Sequence, residues 1–363
     1  MELISRFVYN FFISIYGLLL HISAFFNPKA KMIVEGRQRT QQLILSGNKM
    51  PGKKAWFHCA SLGEFEQARP VIEELKKKDP SLKTIITFFS PSGYEQRKND
   101  PVADLVCYLP GDTKKSAEEF VSFIEPDLVF FIKYEFWFHF INEISKRGIP
   151  LYLLSASFRK DQIFFRWYGN FYVNMLQKFS LIFVQDEKSL QLLTSEGLSN
   201  VKLSGDTRFD NVTRNQKKPA EISLIEKFRN GVLTLVAGSS YEDEEKIIHH
   251  FISGSSAKKI KLIIAPHEVD ENNINRIMKL FSNLNATRLK DLNEENSIRV
   301  RILIIDRIGI LSSVYRIADF AFIGGGFGKK GIHNSLEALA AGIPIFVGPN
   351  NHHKNHEIST LIK

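Results

Sequence analysis

The chain has 363 residues but only two cysteines, Cys59 and Cys107. So few cysteines exclude a disulfide-stapled fold, and the two are not spaced as metal ligands, so we expect reduced thiols in the cytosol. A P-loop is also absent, because no glycine stands five residues before a Gly-Lys-Ser/Thr triplet. The sequence contains no nucleic-acid-binding motif either, so a nucleic-acid partner is not expected.

Lysine and arginine outnumber acidic residues by 48 to 39, which gives a net charge of +9. The excess is distributed in short basic clusters along the chain rather than in one tail. Such clusters are commonly solvated surfaces, but their summed field favours an anionic partner such as a lipid headgroup or a phosphate.

The amino terminus contains one long apolar run, residues 7–26, with no formal charge apart from any on His21. As a helix this run would be about 30 Å long, enough to cross a bilayer core. No small-x-small cleavage site ends it, which disfavours a signal peptide, and basic residues follow at once. We predict that residues 1–30 form a membrane anchor or an amphipathic helix, separate from the core of the domain that follows.

Beyond residue 50, short apolar runs alternate with helical patterns, which predicts parallel sheets covered by helices on both faces. The polar, basic stretch 215–222 is predicted to be a linker. We therefore predict an α/β fold of two doubly wound Rossmann-like domains, residues 50–214 and 223–363, facing a cleft with ligands at the carboxyl ends of strands. The strand-like runs are 56–59, 84–89, 105–108, 128–132, 151–154, 181–184, 201–203, 233–237, 261–265, 302–305, 320–323 and 343–347.

A glycine-rich segment lies between the last two predicted strands, ahead of a helical pattern at 334–341. Glycines allow close backbone approach, and a helix N-terminus favours anions, so this segment predicts a phosphate-bearing ligand. Asn334 and Glu337 lie on one helix face, where a carboxylate suits a ribose hydroxyl pair. A G-x-G-x-x-G match begins at Gly326, but no carboxylate follows at the tip of the next strand, which disfavours a dinucleotide. The remaining alternative is that the glycines only form a tight turn.

Polar residues follow several other predicted strands. After the first strand, Ser61 and Glu64 fit an S-x-x-E capping box, although a glutamate there also suits a general base. Each remaining position taken singly fits a cap or turn as well as it fits a site. Further strand-end residues are Lys133, Glu135, Ser155, Ser157, Arg159, Lys160, Asp206, Arg208, Ser239, Ser240, Pro266, His267 and Asp306.

Six ordered segments behind the apolar amino terminus resemble the Kdo transferase family, whose members transfer 3-deoxy-D-manno-octulosonic acid (Kdo). The segments are ASLGEF, SPSG, GDTRFD, AGSSYEDEE, IADFAFIGGG and HNSLEALAAGIPIFVGP. The resemblance implies a GT-B glycosyltransferase that moves Kdo from CMP-Kdo to a lipid A precursor, with inversion, in lipopolysaccharide biosynthesis. It also implies the cytoplasmic face of the inner membrane and no metal cofactor.

The same resemblance assigns roles to individual residues. It implies that Glu64 is the general base and that Glu135 and Arg208 stabilise the transition state. The implied acceptor-binding residues are Ser90, Ser92, Gly93, Arg159 and Lys160. The implied CMP- or donor-binding residues are Ser239, Ser240, Pro266, His267, Ile308, Gly309, Ile310, Gly325, Gly326, Asn334, Ser335, Leu336 and Glu337.

Three positions depart from the common family pattern: Lys133 and Ile310 replace a glutamate, and His267 replaces an arginine. The carboxyl-terminal domain is expected to be incomplete, since the family's second domain normally continues through further helices. Two alternative functions remain open from the residues. One is a GT-B transferase that uses a UDP-sugar and a lipid acceptor, and the other is a non-catalytic, membrane-bound binder of nucleotide sugars.

Overall fold

The computed structural model describes residues 2–207, 220–328, 331–333, 335–350 and 358–359. The chain divides into two compact units, Met1–Asn211 and Val212–Lys363. Each unit is built around one parallel β-sheet.

The first unit contains a seven-stranded sheet in the order β3-β2-β1-β4-β5-β6-β7, in which every neighbouring pair is parallel. Parallel strands are covered on both faces and therefore read as continuous apolar runs, as the sequence predicted. The strands are β1 (Lys54–Cys59), β2 (Lys83–Phe88), β3 (Leu105–Tyr108), β4 (Leu128–Ile132), β5 (Leu151–Ala156), β6 (Leu181–Val184) and β7 (Val201–Leu203).

Helices of the first unit lie on both faces of this sheet. Strand side chains alternate between the faces, so Trp56 and Phe57 belong to different halves of the core. Trp56 contacts Phe120 and Phe140 edge-on, and Phe57 stacks on Phe130 at 4.6 Å between ring centroids. Burying each such ring stabilises the fold by about 2 kcal/mol. The helices are α1 (Glu2–Ser23), α2 (Pro28–Ser46), α3 (Leu62–Lys78), α4 (Pro91–Arg97), α5 (Lys114–Ile124), α6 (Phe138–Lys146), α7 (Asn170–Leu176) and α8 (Glu187–Ser195).

Helix α1 contains residues 7–23 of the apolar run predicted to be a membrane anchor, and among the described residues it alone has the length and composition to cross a membrane. One of its faces nevertheless packs on the rest of the first unit. The Tyr9 ring contacts Phe138 and Phe171, and Asn10 accepts a hydrogen bond from His139 at 2.7 Å. One face of the predicted anchor therefore packs on the domain that follows, while large apolar side chains on its other face are exposed.

The contact between α1 and the rest of the first unit centres on the buried carboxylate of Asp112. This carboxylate accepts a hydrogen bond from the Tyr9 hydroxyl and from the backbone N–H groups of His139 and Phe140, both at 3.1 Å. Asp112 thus accepts from backbone N–H groups in the first turn of α6 that have no partner within the helix. A negative charge at this position also interacts favourably with the positive end of the helix dipole. One side chain therefore joins α1 to the start of α6.

The second unit contains a six-stranded parallel sheet in the order β10-β11-β9-β8-β12-β13. Its strands are β8 (Thr234–Ser240), β9 (Lys261–Pro266), β10 (Ala286–Arg288), β11 (Ile302–Ile304), β12 (Phe320–Ile323) and β13 (Ile345–Val347). Its helices are α9 (Ala220–Arg229), α10 (Glu242–Ser253), α11 (Glu271–Leu280), α12 (Leu311–Tyr315) and α13 (Leu336–Ala340).

The prediction of two doubly wound α/β units is confirmed, with three local differences. Strand β10 was not predicted, because three residues at a sheet edge carry too short a pattern. Residues 220–222 of the predicted linker begin helix α9, where Ile222 is buried, and residues 215–219 lie outside the described residues. The helix predicted at 334–341 is shorter, Leu336–Ala340.

The Asp112 carboxyl gives the first testable prediction. Burial raises its pKa to about 6, although hydrogen bonds from Tyr9 and the α6 backbone oppose the shift. The folded-state pKa lies above the unfolded value of about 3.9, so the folded protein holds the Asp112 proton more tightly than the unfolded chain does. The protonated carboxyl therefore contributes fully to the free energy of unfolding below about pH 4, and this contribution is lost as the pH rises through about 6. Asp112→Asn cannot ionise, so the melting temperature of the parent should fall relative to this variant between about pH 4 and 6.

Differential scanning fluorimetry across this pH range measures the effect. The exposed Asp161→Asn is the control and should show no such relative change. A difference between parent and Asp112→Asn that is constant with pH would refute the assignment.

Candidate active site

Each sheet has one place where the strand order reverses. In the first unit the chain runs from β1 to β2 and β3 on one side, then returns so that β4 to β7 lie on the other. Loops leaving β1 and β4 therefore diverge and leave a crevice at their carboxyl ends, which is where open α/β sheets bind ligands. Glu64 follows β1 and Glu135 follows β4, so the topology brings both predicted carboxylates to this crevice.

Glu64 lies in the first turn of α3 and is half-buried. The Ser61 hydroxyl donates a hydrogen bond to its carboxylate, whereas the Ser61 side chain makes no capping bond to the helix backbone. The capping-box interpretation is therefore wrong: the two side chains bond to each other. This contact holds the Glu64 carboxylate at the crevice, as a general base requires.

Glu135 is the acceptor in a buried polar network. Its Oε2 atom accepts from the Trp137 indole N–H at 2.6 Å and lies 2.9 Å from the His58 Nε2 atom. The Nδ1 atom of His58 lies 2.9 Å from the Thr87 hydroxyl, which accepts from the Trp56 indole at 2.8 Å. Since His58 is fully buried, these contacts give the Glu135 carboxylate one orientation.

His58 was missed by sequence reasoning. It lies inside strand β1, between Phe57 and Cys59, where a polar residue in an apolar run was the available signal. Burial raises the pKa of the Cys59 thiol well above its usual value, and the charges of Glu64, Glu135 and Glu66 raise it further.

The predicted acceptor-binding residues lie at two places. Ser90 caps α4 by accepting from the Ser92 N–H at 3.2 Å, and both follow β2, next to β1. Gly93 is buried, and a Cβ atom there would lie 2.4 Å from the Phe88 ring, so packing explains this glycine. Arg159 and Lys160 follow β5 and are exposed. Ser90 and Ser92 thus share the edge with Glu64, while the two cations lie on the far side of β4.

In the second unit, the strand order reverses between β8 and β12. Ser239 near the end of β8 has a left-handed backbone, with φ of 53°, which is costly for a residue with a side chain. Ser240 is buried, and its hydroxyl donates to Glu245 at 3.0 Å. The Ser240 hydroxyl is therefore already hydrogen-bonded inside the protein. Ser239 is the more accessible of these two residues predicted to bind the sugar donor.

The glycine-rich loop after β12 is held by an internal carboxylate. Glu244 Oε1 accepts from the backbone N–H groups of Gly325 at 2.7 Å, Gly326 at 3.0 Å and Phe327 at 3.4 Å. The N–H groups of Gly325 and Gly326 are therefore already paired inside the protein, and the role of these two glycines in donor binding stays a prediction. Close packing explains the glycines, since a Cβ atom at Gly324 would lie 2.0 Å from the Ser239 carbonyl oxygen.

Three rings form a stack beside this loop. The rings of His267 and His333 stack at 4.3 Å, and Tyr241 lies 4.9 Å from His267. The Tyr241 hydroxyl is 2.7 Å from His333 Nε2. His267 was predicted as a donor-binding residue, whereas Tyr241 and His333 were not: Tyr241 comes directly after β8 and was overlooked, and His333 lies ten residues beyond the end of β12. The stack offers flat rings and imidazole nitrogens at the switch point.

Glu337 lies in the first turn of α13 and is half-buried. Burial and the nearby Glu337 charge raise the pKa of the Tyr315 hydroxyl, which sits so close to Gly238 that a Cβ atom there would lie 1.8 Å from it. The role of Glu337 as the ribose-binding carboxylate stays a prediction.

The other predicted donor-binding residues differ in accessibility. The side chains of Pro266, Ile310, Ser335 and Leu336 are buried, so only their backbone groups are available for the predicted donor contacts. Among the described residues, the buried Ser335 hydroxyl has no hydrogen-bond partner. Ile308 and Gly309 are exposed in the turn before α12. Arg208 and Asn334 lie outside the described residues, so their roles stay predictions.

Two parallel sheets with polar side chains at both switch points define the GT-B class of two-domain α/β proteins. A solved structure of this kind shows the fold likeness. UDP-GlcNAc 2-epimerase from Neisseria meningitidis, bound to UDP-GlcNAc, matches with a TM-score of 0.53 over 85% of this chain and 91% of its own, at 16% identity.

Sequence comparison identifies the particular family. The family model for 3-deoxy-D-manno-octulosonic-acid transferase matches residues 34–211. The chain is 30% identical to the 3-deoxy-D-manno-octulosonic acid transferase of Rickettsia bellii, over 81% of this chain and 71% of that protein. It is 28% identical to the Haemophilus influenzae enzyme of the same name, over 82% of this chain and 71% of that protein. The chain belongs to the 3-deoxy-D-manno-octulosonic acid transferase family, which consists of glycosyltransferases.

The carboxylate of Glu244 gives the second prediction. Glu244→Ala should lower the melting temperature and weaken nucleotide binding, because four backbone N–H groups, three of them in the glycine-rich loop, lose their acceptor, at a cost of about 1–3 kcal/mol. Glu244→Gln keeps one acceptor oxygen and should retain most of both properties. Scanning fluorimetry and calorimetric titration with CMP measure the two effects.

The neighbouring exposed Asp243→Ala is the matched control and should leave both measurements unchanged. If Glu244→Ala binds CMP as the parent does and melts at the same temperature, Glu244 does not hold the loop.

Proposed function

We propose that this protein transfers Kdo from CMP-Kdo to a lipid A precursor of the lipid IVA type, with inversion of the anomeric centre, in lipopolysaccharide biosynthesis. The observation that carries the proposal is the pair of carboxylates, Glu64 and Glu135, at the switch point of a chain that belongs to this family. Each has a different environment and therefore suits a different task.

Glu64 is proposed as the general base. The acceptor hydroxyl must lose a proton as it attacks the anomeric carbon, and a carboxylate within hydrogen-bond reach can take that proton. Its contacts support this role: one side-chain hydrogen bond from Ser61 orients the carboxylate and leaves acceptor capacity free for the sugar hydroxyl.

Glu135 is proposed to stabilise the transition state. As the bond to CMP lengthens, the sugar ring acquires positive charge, which a fixed carboxylate stabilises without having to reorganise. Trp137 and His58 supply that fixed orientation through contacts of 2.6 and 2.9 Å. Arg208 is proposed to act on the other charge, the phosphate of the leaving group.

The second unit is proposed to bind the donor. Glu337 would accept from the ribose hydroxyls, and Ser239 with the rings of His267 and His333 would contact the nucleotide. The left-handed Ser239 and the stacked rings support this assignment, since costly local geometry is concentrated at ligand sites. Transfer without a metal cofactor is part of the proposal, and full activity with a chelator such as EDTA would support it.

The proposed location is the cytoplasmic face of the inner membrane, with α1 lying in the interface. The face of α1 that packs on the first unit includes Tyr9 and Tyr16, whereas Phe7, Phe11 and Leu18 are exposed. An exposed apolar helix face is suited to the boundary between headgroups and acyl chains.

A donor comparison tests the function. The full chain is incubated with tetraacylated lipid A precursor and either CMP-Kdo or a UDP-sugar. The masses of the products are then measured by mass spectrometry. Addition of Kdo from CMP-Kdo is expected. Transfer from a UDP-sugar, or CMP binding with no transfer to this acceptor, would refute the proposal and favour one of the two alternatives.

Glu64→Gln gives the third prediction. It should lower turnover by about a hundredfold or more, the scale of a lost general base, while CMP affinity stays unchanged. Single-turnover kinetics and calorimetry separate the two quantities.

Glu66→Gln, on the same helix, is the matched control. Glu66 pairs with Arg97 at 2.8 Å, so this variant removes a carboxylate without changing the proposed base. Near-normal turnover of a folded Glu64→Gln protein would exclude Glu64 from the mechanism.

A further inference from the structure

A chain of hydrogen bonds through three fully buried side chains leads from the core of the first unit to Glu135. The Trp56 indole N–H donates to the Thr87 hydroxyl at 2.8 Å, and that hydroxyl lies 2.9 Å from His58 Nδ1. His58 and Thr87 are paired neighbours on β1 and β2. Because Trp56, Thr87 and His58 are fully buried, each of their polar hydrogens needs an acceptor inside the protein.

The Glu135 end of this chain determines which nitrogen of His58 carries a hydrogen. An ionised carboxylate only accepts, so the hydrogen in the 2.9 Å contact between His58 and Glu135 must come from Nε2. The Trp137 indole nitrogen lies 3.0 Å from Nε2 but only 2.6 Å from the Glu135 oxygen, so its hydrogen also goes to the carboxylate. A neutral His58 beside an ionised Glu135 therefore has the Nε2–H tautomer, and its Nδ1 atom needs a donor.

Thr87 is the residue that can supply this donor. Its hydroxyl oxygen lies 2.9 Å from Nδ1 and its carbonyl oxygen 3.3 Å, and of these two groups only the hydroxyl donates. The other acceptor within reach of the hydroxyl is the Phe57 carbonyl, at the longer distance of 3.5 Å. The indole hydrogen of Trp56 occupies one lone pair of the hydroxyl, so the hydroxyl hydrogen points elsewhere, and Nδ1 is the nearest acceptor.

Thr84, on the same strand, shows that a buried hydroxyl on β2 is not enough for such a role. Thr84 is also fully buried, but among the described residues its hydroxyl has no hydrogen-bond partner. The Thr87 hydroxyl instead has Trp56 on one side and His58 on the other. Thr87 is therefore distinguished by its contacts and not by its burial.

We infer that Thr87 is a positioning residue for the transfer reaction. Its hydroxyl keeps His58 neutral and in the Nε2–H tautomer, and His58 in turn holds Glu135 as an ionised carboxylate in one orientation. The assignment of the hydrogens does not depend on the substrate, whereas the effect on transfer rests on the proposed function.

A hydrogen on Nδ1 would disturb Glu135 in either of two ways. In a neutral imidazole it would leave the Nε2 lone pair facing the carboxylate, which would turn Glu135 away or require it to be protonated. In an imidazolium it would place a positive charge against Glu135. Both arrangements weaken the negative charge that is proposed to stabilise the sugar as it becomes positive.

¹⁵N NMR of the full chain in detergent, labelled at histidine, tests the tautomer, because protonated and unprotonated ring nitrogens resonate far apart. The His58 signals are those that disappear in His58→Gln. In the parent and in Thr87→Ser, Nε2 should carry the hydrogen and Nδ1 should not. In Thr87→Val the hydrogen should move to Nδ1, because the backbone carbonyl of residue 87 is then the only partner left beside that nitrogen.

Transfer kinetics test the consequence for the reaction. Thr87→Val should lower kcat by about tenfold or more and leave KM for both substrates unchanged, since charge stabilisation is lost only in the transition state. Thr87→Ser keeps the hydroxyl and should restore most of the rate. Thr84→Val is the matched control, because it makes the same change at a fully buried threonine of β2 and should alter neither the tautomer nor kcat.

The measurement on the parent needs no substitution, so it decides the tautomer even if Thr87→Val does not fold. A hydrogen on Nδ1 in the parent, alone or together with one on Nε2, would overturn the inference. So would an unchanged kcat in folded Thr87→Val, or an equal loss of kcat in Thr84→Val. The expected tautomer in a protein that transfers no Kdo would refute the proposed function and leave the hydrogen-bond assignment standing.

Discussion

The parallel direction of the strands is the constraint on which the rest of this structure depends. All carboxyl ends of a parallel sheet lie at one edge, so the loops that leave them are brought together whatever their distance in sequence. Glu64 and Glu135 are 71 residues apart in number, yet both follow adjacent strands, β1 and β4. The second unit repeats the arrangement with Ser239 and the glycine-rich loop.

Buried carboxylates then hold the loops that the sheets bring together. Asp112 caps the start of α6, and Glu244 binds three N–H groups of the glycine-rich loop. In both cases one anion satisfies several backbone donors that would otherwise be left unpaired inside the protein. Glu135 differs, because its partners are the side chains of His58 and Trp137 and its position is at the crevice.

Helix α1 has one face that contacts the protein and another that is exposed and apolar, and the hydropathy of the segment does not distinguish the two. An apolar run of this length has the same mean hydropathy whether one face or all faces meet lipid. The structure distinguishes them, because Tyr9 and Asn10 bond to Asp112 and His139 on one face while Phe7 and Phe11 are exposed on another. Helix α1 is therefore also part of the scaffold beside Glu135.

The amino-acid sequence by itself determined the class of fold and the edge of each sheet at which the site lies. Alternating apolar runs specify parallel strands, and residues directly after a strand, such as Glu64 and Glu135, are fixed to that edge by covalent connection. Only the tertiary structure decided which polar groups form hydrogen bonds inside the protein. Glu244 reaches Gly325 across 81 positions, and His58 reaches Glu135 across 77. Such pairs depend on how helices and loops pack in three dimensions, which no local periodicity encodes.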